Sequence, residues 1–144
     1  MPSTHTKPNL EEWHKETIRV RYADTDRMGL VYHANYFIYF EACRSSLIRT
    51  IWKPYSQIEK DGYILLVIEA SCRYRKGAGY DDLLNVYARV ADFSGSRIRF
   101  EYKIYKDDDN TLLVEGFTEH CFADKRGKPR RMPAELQKIL SERR

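Results

Sequence analysis

Residues able to do chemistry are concentrated in one polar stretch, which contains Asp24, Asp26 and His33. A carboxylate can attack a carbonyl carbon or deprotonate a water molecule, and an imidazole titrates near neutral pH. Residues 36–40, just after His33, are all apolar or aromatic, which predicts the start of a helix wrapped by protein on most sides. Unpaired N–H groups at a helix start can bind a developing oxyanion. This pattern is typical of chemistry on a polarised carbonyl group.

The elements that position these side chains are a strand, a turn and a helix. Residues 18–22 alternate in polarity, which predicts a strand with Ile18, Val20 and Tyr22 on one face. Gly29 lies in the polar turn that follows, where it can adopt a positive φ. Asn35 is the predicted N-cap of a long helix that ends at Ile51.

The rest of the chain predicts a sheet around that helix. After a connector at 52–62, strands are expected at 63–75, 83–93, 97–106 and 112–123, followed by a basic loop at 125–131 and a helix at 133–140. Long antiparallel strands beside one apolar helix imply a two-layer α+β fold, with a curved five-stranded sheet around the helix. Residues 1–14 are predicted to be a flexible arm, and residues 15–144 a single domain.

Composition narrows the function classes. The chain has 144 residues, 42% of them hydrophobic, which is ordinary for a soluble globular protein. A net charge of +4 without a basic stripe argues against nucleic-acid binding. Cys43, Cys72 and Cys121 are odd in number and show no CxxC, so we expect no disulfide framework and no zinc site, and a cytoplasmic location. Without an apolar leader or spanning segment, we expect neither export nor membrane insertion.

The string YADTDRMGLVYHANYFIYFEACR resembles the signature of the hotdog-fold acyl-CoA thioesterases. The similarity is to the branch that contains 4-hydroxybenzoyl-CoA thioesterase and the YbgC-like enzymes of the Tol–Pal cluster. It extends over about residues 17–140, through DGYILLVIEASCRYRKGAGYDDLLNV, FSGSRIRFEYKIY and KPRRMP. The resemblance implies the hotdog fold, hydrolysis of an acyl-CoA without metal or redox cofactor, and homodimers or homotetramers whose acyl sites are lined by two partners.

The resemblance also assigns site residues by position. Asp26 matches the catalytic carboxylate, as nucleophile or general base, and His33 and Tyr22 match its partners. The hairpin that binds the CoA pyrophosphate corresponds to Ser94, Gly95, Ser96 and Arg97. This turn is less basic than that of the 4-hydroxybenzoyl enzyme, which leaves the strength of CoA binding open.

Each assignment has a structural alternative. Asp24 and Asp26 can form an Asx-type turn, and we interpret Asp24 as structural. His33 can bond the backbone at the helix start, and Tyr22 can pack in the core with its hydroxyl satisfied. The turn before Arg97 can be an ordinary β-turn beside a solvated arginine. A metal site at Asp24, Asp26 and His33 lacks further ligands with clear spacing.

The predicted function is acyl-CoA thioester hydrolysis, and other readings stay open. The substrate can be aromatic, such as hydroxybenzoyl- or dihydroxynaphthoyl-CoA. The chain can instead be a non-catalytic module that binds acyl-CoA or an acyl carrier protein. The basic loop at 125–131 can grip the CoA 3′-phosphate, a carrier protein or an anionic membrane, or simply be solvated.

The strand at 63–75 predicts how copies assemble. The three later strands are joined by short turns and should form a meander, which leaves this strand at an edge. It is too apolar to have a solvated face, and Glu69 is the only charge between Tyr63 and Cys72. A bare apolar edge invites aggregation, so we expect it to pair with its own copy across a two-fold axis.

Overall fold

The computed structural model describes residues 10–143 as a five-stranded antiparallel sheet with one long helix packed against it. The strands are β1 His14–Arg19, β2 Ile64–Tyr74, β3 Leu83–Ser94, β4 Arg97–Lys106 and β5 Leu112–Ala123. The helices are α1 Asn35–Ile51, α2 Tyr55–Lys60 and α3 Ala134–Glu142, with a 3-10 turn at Tyr22–Asp24. The strand order is β1-β3-β4-β5-β2. The predicted α+β architecture is confirmed.

Helix α1 buries one stripe of side chains against the sheet. Tyr36, Phe40, Cys43 and Leu47 recur every three or four residues and are all buried. Phe40 stacks on Tyr102 of β4, with ring centroids 4.3 Å apart and planes 7° from parallel. Burying such a ring contributes about 2–3 kcal/mol to the free energy of unfolding. On the opposite face Ile38 is 57% exposed, but Tyr36, Tyr39 and Phe40 are buried, so the start of the helix is covered on most sides, as predicted.

Strand β2 lies at an edge of the sheet, as predicted, and its outer side has no partner strand among the described residues. In its first half Leu66 is 37% exposed, Val67 58% and Ile68 43%. The prediction that this strand has no solvated face is therefore wrong for an isolated chain. Contiguous exposed apolar side chains at a bare strand edge are uncommon in a folded protein.

The N-terminal strand starts and ends earlier than predicted. β1 covers His14–Arg19 rather than residues 18–22, because Val20 has left the ladder to exchange hydrogen bonds with the loop before β3. The Val20 N–H donates to the Asp82 carbonyl at 2.9 Å, and its carbonyl accepts from the Asp81 N–H at 3.0 Å. Residues 1–9 of the predicted arm lie outside the described residues. In the described part of the arm, the Arg89 guanidinium carbon lies 4.6 Å from the centroid of the Trp13 ring, so Trp13 packs against the sheet.

A polar row crosses the core beneath α1. The Arg44 guanidinium donates to the Tyr102 hydroxyl at 3.1 Å, and this hydroxyl lies 2.6 Å from Thr118 Oγ1. His120 Nε2 lies 2.8 Å from the same Thr118 oxygen. Burial, together with the Arg44 charge, lowers the pKa of His120 to about 3. His120 is therefore neutral at physiological pH and belongs to the core.

Candidate active site

The loop that carries both aspartates is a small hairpin fixed to the loop that leads into β3. The Asp26 N–H donates to the Leu30 carbonyl at 2.8 Å, and Gly29 has the predicted positive φ of 79°. The Val31 N–H donates to the Ala78 carbonyl at 2.8 Å. These backbone bonds hold the Asp26 side chain in a defined place at one end of the sheet.

Asp24 is structural, as predicted. It is 5% exposed and accepts hydrogen bonds from the Arg21 guanidinium at 2.9 Å and the Tyr39 hydroxyl at 2.9 Å. Burial by itself raises the pKa of Asp24, but the hydrogen bonds from Arg21 and Tyr39 and the Arg21 charge outweigh it and hold the pKa below its ordinary value. This carboxylate ties the site loop to helix α1.

Replacing Asp24 with Asn should lower stability. Asparagine has an NH₂ group in place of one carboxylate oxygen, and this group cannot accept a hydrogen bond, so either Arg21 or Tyr39 loses its acceptor. We expect the free energy of unfolding to fall by about 1–3 kcal/mol, the usual cost of an unsatisfied buried partner. A carboxyl group whose pKa is lower in the folded state stabilises the folded protein at pH values above its unfolded-state pKa, which for aspartate is ordinarily 3.8. Urea unfolding at several pH values should therefore show the full difference in the free energy of unfolding between the variant and wild type near neutral pH. This difference should shrink as the pH falls through the folded-state pKa. A variant equally stable at pH 7 would contradict this role.

The Asp26 carboxylate uses one oxygen to shape the loop. Its Oδ1 accepts from the Met28 N–H at 2.9 Å and the Leu30 N–H at 3.3 Å, so the Asx-type turn considered as an alternative is present. No described residue donates to Oδ2. The side chain is half-buried beside exposed apolar neighbours, including Met28, which is 79% exposed. The turn and a chemical role are compatible, because the second oxygen remains open.

Asp124 forms the same turn at the other end of the molecule. Its Oδ1 accepts from the Arg126 N–H at 2.9 Å and the Lys128 N–H at 3.0 Å, and Gly127 has a φ of 85°. The turn alone therefore does not distinguish Asp26. What distinguishes Asp26 is its place in the chain, seven residues before His33 and the start of α1.

The first turn of α1 has no side-chain cap, so the prediction that Asn35 is the N-cap is wrong. The N-cap is Ala34, and the Asn35 amide instead donates to the Asp24 carbonyl at 2.8 Å. The N–H groups of His33 and Ala34 donate to no described residue. Because the helix dipole places partial positive charge here, these groups can stabilise an oxyanion.

His33 presents its ring to solvent. The ring lies 4.4 Å from that of Tyr32 and 6.1 Å from that of Tyr74, between centroids. Its nitrogens hydrogen-bond no described residue, so the alternative of a backbone-bonded imidazole is not observed. The His33 carbonyl accepts from the Tyr74 hydroxyl at 3.1 Å. The imidazole is thus free to meet a ligand while its peptide is held.

Tyr22 does not lie where the sequence predicts. It begins the 3-10 turn instead of facing the core from a strand, and it is 78% exposed. Its ring packs edge-on against Tyr80, with centroids 5.6 Å apart. The predicted strand placement fails because Arg21 and Asp24 close a helical turn, which rotates Tyr22 outward.

The Ser94–Arg97 segment is a tight turn between β3 and β4 whose free N–H groups are compatible with phosphate binding and with an ordinary β-turn alike. Gly95 has a φ of 61°, and the N–H groups of Gly95 and Ser96 donate to no described residue. Arg97 is exposed, and its guanidinium lies 3.4 Å from the Glu119 carboxylate. Such a long, exposed ion pair can exchange for a phosphate at little cost.

Within one chain the hairpin and Asp26 are far apart. The Asp26 loop pairs with the loop that leads into β3, whereas the Ser94–Arg97 turn follows the other end of β3. The two are therefore separated by the length of this strand, on the order of 35 Å. The two ends of β2 lie near these two separate regions. Leu66 shares a row with Arg97 through Cys121, whereas Tyr74 contacts His33. One chain therefore does not bring the two predicted parts of the site together.

Two further features bear on ligands. The basic loop forms no ion pair with a described carboxylate, and its Arg130 lies 3.8 Å from the Tyr63 ring centroid. Residues 10–143 contain no group of three or more potential metal ligands. No helix in that part of the chain is long and apolar enough to cross a membrane.

Sequence reasoning missed the tyrosines that organise the site. Tyr39 holds Asp24, and Tyr74 holds the His33 carbonyl from another strand. The chain has 11 tyrosines, and nothing in the sequence distinguishes these two from the others. Only the tertiary arrangement identifies these two.

Comparison with known proteins identifies the family of the chain. Residues 20–140 match the Thioesterase-like superfamily. The Bacillus subtilis protein YneP is 35% identical over 111 residues, which cover 77% of this chain and 80% of YneP. The acyl-CoA thioesterase YbgC of Haemophilus influenzae is 32% identical over 123 residues, covering 83% of this chain and 88% of its own.

A solved structure shows the same fold. The DHNA-CoA thioesterase of Staphylococcus aureus superposes with a TM-score of 0.86 at 29% identity, covering 90% of this chain and 89% of the other. The hotdog fold implied by the sequence resemblance is thereby confirmed.

Proposed function

This chain belongs to the thioesterase-like superfamily, in the branch of the YbgC-like enzymes, and from that premise we propose that it hydrolyses an acyl-CoA to the free acid and CoA. The proposal is carried by two open groups close in the chain: the Asp26 Oδ2, which accepts from no described residue, and the N–H groups of His33 and Ala34 at the start of α1, which donate to none. Such N–H groups stabilise charge that develops on a thioester oxygen. The three cysteines are all unpaired thiols, which is compatible with a cytoplasmic enzyme.

Two routes use the same groups. Asp26 attacks the thioester carbon, the C–S bond breaks to release CoA thiolate, and water hydrolyses the resulting mixed anhydride. Alternatively, Asp26 takes a proton from a water molecule, which attacks the same carbon, and the C–S bond then breaks to release CoA thiolate and the free acid. In both routes the N–H groups of His33 and Ala34 receive the oxyanion, and the exposed His33 imidazole orients the water or protonates the leaving thiolate.

The working unit we propose is a homodimer joined along β2, or a homotetramer built from such dimers. Three exposed apolar residues, Leu66, Val67 and Ile68, lie at the unpaired edge, and Ile38 is exposed on α1. Antiparallel pairing with a second β2 satisfies the edge backbone groups and covers these side chains.

The same pairing accounts for the separated parts of the site. A two-fold axis near Glu69, the middle of β2, sets the Leu66 end of the partner strand beside Cys72, close to Tyr74 and His33. The partner subunit's Arg97 then lies about 15 Å away, three strand spacings of roughly 4.8 Å. The pantetheine arm of CoA spans such a distance. We therefore assign Asp26 and His33 to one copy and the Ser94–Arg97 turn to the other, with Tyr22 flanking the acyl group.

Replacing Arg97 with Ala should raise the KM for acyl-CoA by about tenfold, as expected for one charged hydrogen bond. A pantetheine thioester that lacks the nucleotide should be hydrolysed as by wild type. The salt dependence of KM should also flatten, because a screened ion pair is removed. The matched control is Arg99→Ala on the same strand, where the guanidinium stacks on Phe117. An equal loss on both substrates would mean that Arg97 acts through folding.

A thiol-release assay tests the function. It compares short aliphatic, long aliphatic and aromatic acyl-CoAs with an acyl carrier protein thioester. Release from at least one acyl-CoA is expected. Binding of acyl-CoA without release of thiol from any substrate would mean a non-catalytic module. The aromatic substrate is the second candidate, favoured by the likeness to the DHNA-CoA thioesterase of Staphylococcus aureus.

A further inference from the structure

The Tyr74 hydroxyl links the edge strand to the start of α1. It donates to the His33 carbonyl at 3.1 Å, and the Tyr74 ring lies 5.7 Å from that of Tyr36. Tyr74 is the last residue of β2. A side chain from the edge strand therefore bonds the peptide that leads into the helix.

That peptide carries one of the two proposed oxyanion donors. The His33 carbonyl and the Ala34 N–H belong to one planar trans unit and point in opposite directions. Holding the carbonyl on one side therefore fixes the direction of the N–H on the other. Donation into a carbonyl also polarises its peptide and strengthens its N–H as a donor. We infer that Tyr74 is a positioning residue that aims the Ala34 N–H at the substrate oxygen; the inference rests on the proposed thioester hydrolysis.

Tyr74 can fill this role throughout the working pH range. Burial, followed by its contact with Cys72, raises the pKa of Tyr74 to about 12, so the hydroxyl keeps its proton. The second donor to the His33 carbonyl, the Tyr36 N–H, is longer at 3.4 Å. Without Tyr74, the carbonyl would keep only this weaker contact.

Replacing Tyr74 with Phe removes the hydroxyl and keeps the ring. We expect kcat to fall by about tenfold, less than the 10²–10³ for complete loss of an oxyanion donor, with KM unchanged within about twofold. The amide resonance of Ala34 should shift in the ligand-free protein, as followed by NMR. The control is Tyr32→Phe, whose ring also contacts His33 and is 48% exposed against 45% for Tyr74.

The readouts separate this role from others. A fall in kcat together with an Ala34 shift, both absent in Tyr32→Phe, supports positioning. An unchanged kcat in an otherwise active enzyme overturns the inference and leaves the proposed function intact. A change in KM alone, or an equal kcat loss in Tyr32→Phe, also overturns it. Wild-type protein inactive on every acyl-CoA overturns the proposed function, and this role with it.

Discussion

Asp26→Asn should lower kcat by about 10²–10⁴, the usual contribution of a general base, and acyl-CoA binding should survive. The amide keeps the shape of the carboxylate, and its oxygen can still accept from the Met28 and Leu30 N–H groups. The variant lacks only the negative charge and the basicity. Steady-state thiol release gives kcat, and equilibrium binding of CoA gives the affinity.

Asp124→Asn is the matched control. It makes the same change in the same kind of turn, with hydrogen bonds to the residues two and four positions later. The loop-shaping part of the effect should therefore be alike in the two variants, and kcat should change only for Asp26. An Asp26→Asn enzyme that turns over its best substrate at a near wild-type rate would disprove the mechanism.

Val67→Pro should abolish the dimer and activity together, or make the protein insoluble. Val67 lies in the first half of β2, it is 58% exposed, and proline cannot donate in a ladder. Val67→Lys tests the same edge without changing the backbone, because a charge there opposes strand pairing. Val67→Thr keeps the branched shape and should remain dimeric.

Sedimentation and thiol release measured on the same samples check this prediction. Loss of activity should follow loss of the dimer in both disruptive variants. A wild-type protein that sediments as a fully active monomer at assay concentration would contradict the assembly.

Most of the sheet could be predicted because its signals are local. The expected strands at 97–106 and 112–123 have the observed bounds, since alternation and turn residues lie within each segment. The edge position of β2 followed from the connections alone. The connector at 52–62 was predicted without helix, yet it contains α2, which is only six residues long and gives little periodic signal.

The site was predictable in its residue types but not in its contacts. Asp26 and His33 stand out by spacing beside an apolar helix. Asn35 was misassigned because its partner is the Asp24 carbonyl, eleven residues earlier, and not its own helix. Tyr22 was misassigned because period-two alternation continues past the point where the chain leaves the sheet. Such contacts depend on tertiary packing, which alternation does not encode.

The most direct test of a site shared by two copies uses a hybrid dimer. One chain carries Asp26→Asn, the other carries Arg97→Ala, and two different affinity tags isolate dimers that contain both. If the site combines Asp26 of one copy with the Arg97 turn of the other, one site of each hybrid is intact. Thiol release at low acyl-CoA should then exceed that of either parent dimer, with a wild-type KM. Hybrid activity no greater than the average of the two parents would contradict the shared site.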